Sequence, residues 1–380
     1  RTFKTTWTDI NVSCEACHGP GSDHLAWAKR EPGWDKIAGD GLAVQFDERR
    51  AIRWVIDPAT GNARRSAARD TAKEIETCAH CHARRSQLSE AVVPGRPLMD
   101  THQPAVLERG LYHADGQILD EVYEYASFRQ SKMFHAGVTC SDCHNPHTLK
   151  LRASGSEVCM QCHAPGKYSV ASHHHHQAGS RGANCLECHM PTRTYMGVDV
   201  RRDHSFRVPR PDQSVSLGTP NACTACHMGK PAKWAADQLR AWLGRDAKGY
   251  QTFAPALAAA RSSAPDAAAR LLAVLDDPAQ PAVARATAAA ELGAWLSPAS
   301  LQALARALND ADPQVRSGAL TGIEPLPLPQ RWQLAAPLLR DPVRGVRIEA
   351  ACMLAGVPAE RITPEQRADM ERAGAEYLAA

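Results

Sequence analysis

Twelve of the thirteen cysteines in this chain stand in six copies of one short pattern, Cys-x-x-Cys-His. Two thiols at this spacing can form thioether bonds to the vinyl groups of one porphyrin, and the adjacent imidazole can bind its iron. The pattern therefore predicts six covalently attached c-type haems. The attachment residues are Cys14, Cys17, Cys78, Cys81, Cys140, Cys143, Cys159, Cys162, Cys185, Cys188, Cys223 and Cys226, followed by the iron ligands His18, His82, His144, His163, His189 and His227.

The second axial ligand decides whether each iron carries electrons or can also bind a substrate. Eleven of the 17 histidines lie outside the motif positions, and His80, between two attached cysteines, is the least able to reach an iron. His147 follows His144 by three residues, too close to serve the opposite face of the same iron, so it should reach a neighbouring haem. For each candidate the alternative is a solvated or core histidine without an iron. The full set of candidates is His24, His102, His113, His135, His147, His174, His175 and His204.

Two of those candidates come from an internal run of four histidines, residues 173–176. An expression tag is disfavoured because the run is internal. A zinc site is disfavoured because adjacent side chains do not converge on one ion. We expect one axial ligand in the run, with His174 and His175 the preferred positions and the other two as hydrogen-bonding neighbours.

Residues 1–230 hold all six motifs, and only Cys352 lies beyond them. This part has many Gly and Pro residues and few apolar clusters, so its polypeptide alone cannot offset the entropy lost on folding. We therefore expect a hexahaem cytochrome c domain, mainly α with much irregular loop, in which the haems form the core. Local patterns predict helices over 22–30, 73–85 and 120–134, and a small β-hairpin that starts at Trp54 and turns at 58–61.

Residues 231–380 are rich in Ala and Leu, and one unit, Asp-Pro-x-Val-Arg-x-x-Ala, recurs there about every 31 or 32 residues, beginning at Asp277, near Asp312 and at Asp341. Such a period predicts stacked antiparallel helix pairs, an α-α solenoid that resembles HEAT repeats of a short type. Gly322 and three nearby prolines should interrupt the second repeat. Cys352, among Ala and Leu on a repeat helix, should be a buried, inert thiol.

The formal charge of +3 leaves out the cofactors. A ferric haem with two ionised propionates carries about −1, so six would bring the oxidised assembly to about −3. The pI of about 8.2 is therefore no signal for nucleic-acid binding. Arginines beside the motifs could pair with propionates or could simply be solvated; they are Arg84, Arg85, Arg201 and Arg202.

Haem attachment through thioethers takes place outside the cytoplasm, where unprotected thiols form disulfides. This chemistry predicts a periplasmic or extracellular protein. The sequence has no run of about eighteen apolar residues that could span a membrane. Its first residues lack the apolar stretch of a signal peptide, so we expect that a leader was removed or that the chain is a segment of a longer product.

Several stretches resemble the multihaem c-type cytochromes of the cytochrome c554 type, in particular large members with HEAT-like and then tetratricopeptide repeats. The resemblance lies in residues 11–22, 110–117, 137–147, 188–191 and 202–211. It implies further haem-binding sequence before this segment and tetratricopeptide repeats after it. It also implies that one of the candidate histidines serves a haem outside the segment.

Two functions fit these features. The first is electron transfer through six mostly bis-His haems between redox partner proteins, with the repeats used for partner docking or assembly. The second is a multihaem oxidoreductase of the nitrite, hydroxylamine or tetrathionate type with one open haem face. Nitrite reductases usually have Lys in place of the motif histidine at the catalytic haem. All six motifs here end in His, which favours the electron carrier.

Overall fold

The computed structural model describes residues 4, 6, 11–90 and 92–379. Its motif-bearing part consists of short helices joined by irregular loops, and only α3 reaches ten residues. The helices are α1 Cys14–His18, α2 Ser22–Ala28, α3 Lys73–His82, α4 Tyr125–Arg129, α5 Lys132–His135, α6 Cys140–Cys143, α7 Glu157–Met160, α8 Pro165–Tyr168, α9 Ala171–His174, α10 Cys185–His189, α11 Pro211–Leu217 and α12 Ala222–Cys226. Helices this short cannot be stable alone and depend on what they pack against.

Four antiparallel two-stranded sheets complete the described part of this region. They pair β1 Trp54–Ile56 with β2 Ala63–Arg65, β3 Arg85–Gln87 with β4 His102–Pro104, β5 His144–Asn145 with β6 Lys150–Leu151, and β7 Thr192–Tyr195 with β8 Asp199–Arg202. The first sheet is the expected hairpin, which is confirmed. The other three were not predicted, because two to four residues carry too little alternation to be read as strands.

The single helix expected over 120–134 is wrong. The chain forms α4 and α5 instead, and Ser131 between them has an extended backbone, with φ −80° and ψ 147°. Its Oγ accepts a hydrogen bond from the N–H of Phe134 at 3.0 Å. A serine that caps a new helix in this way ends the previous one, because both helices cannot share its backbone conformation.

The part after residue 231 is a succession of longer helices. They are α13 Ala232–Leu243, α14 Ala254–Arg261, α15 Ala267–Asp276, α16 Ala282–Glu291, α17 Pro298–Ala307, α18 Pro313–Ile323, α19 Leu328–Ala335, α20 Arg344–Leu354 and α21 Pro364–Leu378. Every one of them buries at least one residue, mostly Ala, Leu or Val. The description of residues 231–380 as a HEAT-like solenoid stays a prediction.

The arginine of the repeated Asp-Pro-x-Val-Arg unit forms ion pairs between successive repeats. Arg316 on α18 forms two hydrogen bonds to the carboxylate of Asp341, at 2.6 and 2.7 Å, and both side chains are nearly buried. Arg285 donates one hydrogen bond to Asp310 at 2.5 Å, and Arg347 donates two to the carboxylate of Glu376, at 2.8 and 2.9 Å. The arginine of each repeat thus binds an acidic residue about 25 to 30 positions further on, and this ladder joins successive units.

Close helix contact explains the glycines of α18. A Cβ atom on Gly318 would lie 2.2 Å from the carbonyl oxygen of Ala286, and one on Gly322 would lie 2.3 Å from that of Ala289. Both glycines therefore let α16 and α18 approach through their backbones. The expectation that Gly322 itself interrupts the repeat is wrong, since α18 runs through it to Ile323, but the helix ends there, before the three prolines. The thiol of Cys352, expected to be buried, is exposed.

One hydrophobic cluster includes residues from both sides of residue 230. Leu107 and Tyr112 of the motif-bearing part are buried in it together with Leu257 and Val315 of the helical part. Polar contacts follow the same path, since the backbone N–H of Leu107 donates to the Oγ1 of Thr287 at 2.9 Å. The boundary near residue 230 stays a prediction. No helix among the described residues is both long and apolar enough to cross a membrane.

Candidate haem-binding sites

The first cysteine of each motif lies in a short helix, namely α1, α3, α6, α7, α10 and α12. Five of these helices extend at least to the second cysteine; α7 ends at Met160, and there the N–H of Cys162 donates to the carbonyl oxygen of Cys159 at 3.1 Å, which continues the turn. Cysteines three positions apart in a helical turn project from the same side. Two of the turns begin at asparagine caps: the Oδ1 of Asn184 accepts a hydrogen bond from Leu186, and that of Asn221 accepts one from Thr224. The local sequence thus starts the turn immediately before the first thiol.

The thiols of consecutive motifs are neighbours. Cys78 of the second motif and Cys140 of the third share a hydrogen bond, which together with burial raises the pKa of the Cys140 thiol. Cys159 of the fourth motif and Cys185 of the fifth share another. These pKa values describe the free thiols before thioether formation, but the proximity that they report belongs to the fold.

The remaining neighbours in the series are close enough to interact electrostatically. Burial raises the pKa of Cys17 first, and the thiols of Cys78 and Cys81 raise it further. Burial raises the pKa of Cys143 to about 11, with a contribution from Cys162. Likewise, burial and then Cys223 and Cys226 raise the pKa of Cys188 to about 11. The six attachment points therefore follow one another in space in the order of the sequence.

Four motif histidines face the ring of a second histidine. The ring centres of His18 and His147 are 6.2 Å apart with an interplanar angle of 17°. The other pairs are His144 with His204 at 6.3 Å and 27°, His189 with His173 at 6.2 Å and 14°, and His227 with His176 at 6.0 Å and 35°.

The spacing of these pairs suits a metal between the rings. With a metal–nitrogen bond of about 2 Å on each side and about 1.1 Å from nitrogen to ring centre, two axial imidazoles lie about 6 Å apart. Direct stacking would bring aromatic rings closer, as in His175 on Trp242 at 4.2 Å. The four histidine pairs therefore fit the two axial positions of a haem iron, and the arrangement occurs four times with nearly the same distance.

One ring of every pair is held by a backbone carbonyl. The Nδ1 atom of His18 lies 2.9 Å from the carbonyl oxygen of Val44, and that of His189 lies 2.9 Å from that of Arg207. His204 and His176 are held in the same way by the carbonyls of Arg202, at 3.0 Å, and His174, at 2.5 Å. A hydrogen bond at Nδ1 fixes the tautomer and leaves Nε2 to bind a metal. Burial also lowers the pKa of His144 and His173, which favours the neutral form that ligates.

Within the run of four histidines, the structure differs from the sequence-based choice. It places His173 and His176 opposite motif histidines, whereas His175 stacks on Trp242 and His174 accepts a hydrogen bond at Nδ1 from the N–H of His176. The reason is the backbone of His175, whose φ of 55° turns the chain at the end of α9 and directs its two neighbours to different motifs. Because Gly182 has no side chain, the ring of His176 fits beside it; a Cβ at this position would lie 2.2 Å from that ring.

His82 and His163 are different, because no second histidine ring faces either of them in the part of the chain that the structure describes. The Nδ1 atom of His163 lies 2.7 Å from the Oδ1 of Asn62. That of His82 lies 3.0 Å from a carboxylate oxygen of Glu124, and this hydrogen bond raises the pKa of His82. A carboxylate partner makes an axial imidazole a stronger donor to its metal.

The other sequence candidates lie away from the motif rings. His102 is buried and hydrogen-bonded to the Oγ1 of Thr101 at 2.9 Å, and burial lowers its pKa to about 4. His113 lies beside Arg193, and the ring of His135 contacts Tyr250. The structure thus brings His147 and His204 opposite motif histidines, but not His24, His102, His113 or His135.

Three of the four arginines named for the propionates, Arg85, Arg201 and Arg202, contact protein groups. Arg201 pairs with Glu121, and Arg202 pairs with Glu187 at 2.8 Å. The guanidinium of Arg85 binds the carbonyl oxygen of His80. These contacts fix the loops beside the second and fifth motifs.

Comparison with known proteins gives one family and one structure. Residues 132–168 match the family described as the doubled CXXCH motif, a segment that contains the third and fourth motifs. The match supports haem c as the cofactor and a multihaem c-type cytochrome. The count of six stays a prediction. No curated protein matches the chain.

A solved structure with some similarity is that of the outer cell wall cytochrome OcwA. It is 15% identical, with 83% of this chain and 71% of that chain covered and a TM-score of 0.39. At this identity and score the likeness does not define the fold or function of this chain.

Proposed function

We propose that this protein transfers electrons through six covalently attached c-type haems. The observation that carries the proposal is the set of four facing histidine pairs. A bis-His iron is six-coordinate and exchanges electrons without binding substrate. The sequence-ordered series of thiols supports the same conclusion, since adjacent attachment points hold successive porphyrins close together. Both ends of this series are accessible, because Cys14 and Cys226 are exposed.

The chain's own residues would hold each haem in three ways. The cysteines of a motif bind the porphyrin covalently, the motif histidine and its facing histidine bind the iron, and the backbone carbonyls behind the rings set their orientation. The haem supplies the redox couple when bound. The protein tunes that couple through ligand choice, burial and nearby charge.

The histidine pairs lead to a direct test. In the six-haem protein, His147→Ala should convert one low-spin haem to a high-spin haem, and so should His204→Ala, His173→Ala and His176→Ala, each measured by electron paramagnetic resonance and the visible spectrum. His175→Ala is the matched control, because its ring already stacks on Trp242. Unchanged spin states in the first four variants would contradict bis-His ligation. Haem content per chain checks the count of six.

We further propose a location outside the cytoplasm, periplasmic or extracellular, because thioether formation needs protected thiols in an oxidising compartment. The partners would be redox proteins that donate to one end of the haem series and accept from the other. The helical part would provide the docking or assembly surface, since rows of helices offer extended faces to partners.

A second function, that of an oxidoreductase with an open haem face, is favoured by His82. Among the described residues it faces no second imidazole, and it is the motif histidine whose Nδ1 lies beside a carboxylate, that of Glu124. An iron with one strongly donating histidine and a free position can bind a small ligand. Carbon monoxide titration of the reduced protein tests this. Binding of one or two equivalents per chain supports the open positions, and no binding excludes the enzyme.

A further inference from the structure

Helix α13 leaves most of its surface free. Among its twelve residues only Ala235 is buried, although the helix packs against α11 and α12. Two large apolar side chains at its C-terminal end are exposed, Trp242 by 39% and Leu243 by 44% of their surface. The helix thus presents an apolar face that no other described residue covers.

The same helix lies against the histidines of the sixth motif. The ring of Trp234 contacts that of His227, with ring centres 4.9 Å apart, and the ring of Trp242 stacks on His175 at 4.2 Å. His176, the residue after His175, faces His227. The two tryptophans therefore hold α13 beside both histidines of the sixth facing pair.

The sixth motif itself lies at the surface. Cys226, His227 and Met228 are all exposed, and 86% of the surface of Met228 is free. A haem attached to this turn would lie at the edge of the molecule, next to α13. A second protein that docks on α13 would therefore come close to that haem.

The segment around the sixth motif is positively charged. Residues 222–248 contain five Lys and Arg residues and two Asp residues, which gives a formal charge of +3. A ferric haem with two ionised propionates brings about −1, so the segment stays positive when it carries its haem. The protein with six haems carries about −3 in total, so this surface has the opposite sign to the molecule as a whole.

The two aspartates of this segment are already engaged. Asp237 pairs with Lys233 at 2.8 Å, and Asp246 pairs with Arg240 at 2.6 Å. Three exposed cations of the segment form no ion pair in the described part of the chain, namely Lys230, Arg245 and Lys248.

The neighbouring chain adds no free carboxylate. Residues 158–186, which include His175 and His176, contain no Asp or Glu. The next acidic residue, Glu187, already pairs with Arg181 and Arg202, each at 2.8 Å. Unpaired exposed cations attract a negatively charged partner over about a Debye length.

We propose that the exposed face of α13 and the turn of the sixth motif, together the α13 surface, dock an acidic electron-transfer protein. Tryptophan, methionine and arginine are enriched at protein interfaces, and the stacked ring of Trp242 is ordered before a partner binds. An anionic lipid surface would also attract these side chains, but the sixth motif in the same surface favours a redox partner. This proposal rests on the proposed electron transfer, and the experiment separates the two.

The first measurement is binding without electron transfer. Oxidised plant-type ferredoxin, a small acidic iron–sulfur protein, is titrated into the oxidised six-haem protein by calorimetry. The affinity should fall as salt is added, and it should be at least about tenfold lower in the triple variant Lys230→Glu, Arg245→Glu and Lys248→Glu. A matched control reverses three exposed arginines elsewhere in the helical part and should bind like the wild type; it combines Arg306→Glu, Arg361→Glu and Arg367→Glu.

Trp242→Ala tests the apolar contribution. It should weaken ferredoxin binding about tenfold and leave the dependence on ionic strength as in the wild type, because the ring carries no charge. Unchanged affinity in this variant would contradict docking on α13.

The second measurement is the rate at which reduced ferredoxin reduces the haems, followed by stopped flow. This rate at low salt should fall in the triple variant and not in its control. Mitochondrial cytochrome c, a basic redox protein, gives the opposite charge, and its affinity should not fall in the triple variant.

The outcomes separate the alternatives. Equal ferredoxin affinity in the wild type and the triple variant overturns the proposal. Phosphatidylglycerol vesicles that bind the wild type but not the triple variant, with no difference for ferredoxin, assign the surface to a membrane and also overturn it. If reduced ferredoxin binds through the α13 surface and reduces no haem, the surface is correct and the proposed electron transfer fails.

Discussion

The motif-bearing part and the helical part of this molecule bury their side chains in different ways. Eight of the twelve helices before residue 230 contain no buried residue. Each helix after residue 231 buries at least one, and α14 to α21 all contribute buried apolar residues to one continuous cluster. The motif-bearing part has a smaller apolar cluster of its own, which includes Ile75, Leu98 and Phe128. Under the proposed function, haems would cover much of the rest of its inner surface. Interactions in the two parts should respond to different perturbations.

Removal of the haems should have the largest effect. Chain produced without haem attachment should lose the fold around Cys159 and Cys185, because helices of four or five residues with at most one buried side chain are unstable in water. Helices α13 to α21 should keep their structure, since their apolar stripes need no cofactor. Limited proteolysis with mass spectrometry checks this. Protection of the fourth and fifth motifs in the haem-free chain would contradict the comparison.

The next effect concerns the contact between the two parts. Arg129 on α4 is buried, donates to the Oε1 of Gln314 at 2.9 Å and pairs with Asp312, the N-cap residue of α18. Arg129→Met would leave that carboxylate unpaired and should lower the free energy of unfolding by about 3 kcal/mol. The exposed pair of Arg306 and Asp276 gives the control, since Arg306→Met should change it by less than about 1 kcal/mol. Chemical denaturation measures both.

The same contact reaches the second motif. The hydroxyl of Tyr125 lies 3.4 Å from the guanidinium of Arg129 and donates to Glu76 at 2.8 Å. Glu76 lies on α3, which also carries Cys78 and His82. Equal losses for Arg129→Met and Arg306→Met would show that this buried series of polar groups does not join the two parts.

A smaller effect belongs to the helical part alone. Gly318→Ala places a Cβ against the carbonyl of Ala286 and should cost about 2 kcal/mol, because α16 and α18 must move apart. Gly374→Ala on α21 is a matched control. It has no atom within 4 Å of the added Cβ and should be neutral or stabilise by up to about 1 kcal/mol. Thermal unfolding distinguishes the two, and neither should alter the haem spectrum.

The sequence predicted those features that depend on residue type at fixed spacing. The six motifs follow from covalent chemistry, and the repeat unit follows from the ladder in which Arg316 binds Asp341. The hairpin at Trp54 was predicted because its turn residues determine it locally. His147 was expected to reach a neighbouring motif, and in the structure its ring faces that of His18.

The features that the sequence did not predict depend on backbone conformation or burial, which residue types alone do not reveal. His173 and His176 could not be chosen over their neighbours because the left-handed turn at His175 is not encoded by a glycine. The break at Ser131 was hidden by a continuous helical pattern on both sides of it. His102 was indistinguishable from a ligand by residue type, and only its burial beside Thr101 sets it apart.

An effect of similar size is a pH dependence confined to the helical part. Glu349 on α20 is partly buried and accepts hydrogen bonds from the hydroxyls of Ser317, at 2.5 Å, and Thr321, at 3.2 Å. Burial raises its pKa to about 7 despite these hydrogen bonds, and the nearby Glu324 adds to the increase. The folded state therefore holds this proton more tightly than the unfolded chain, where the pKa is about 4.3.

The direction of the pH dependence follows from this difference in pKa between the folded and unfolded states. The stabilisation from Glu349 is complete below about pH 4.3 and is lost as the pH rises through about 7, because the folded state then contains a buried carboxylate. Glu349→Gln removes the titration. The free energy of unfolding of the wild type relative to Glu349→Gln should fall by about 2 kcal/mol between pH 5 and pH 8. Glu360→Gln changes an exposed position, so its free energy of unfolding should vary with pH over this range in the same way as that of the wild type. If the free energies of unfolding of the wild type and Glu349→Gln differ by the same amount at every pH, the carboxyl is solvated. If the haem spectrum also changes over this pH range, the two parts do not titrate separately.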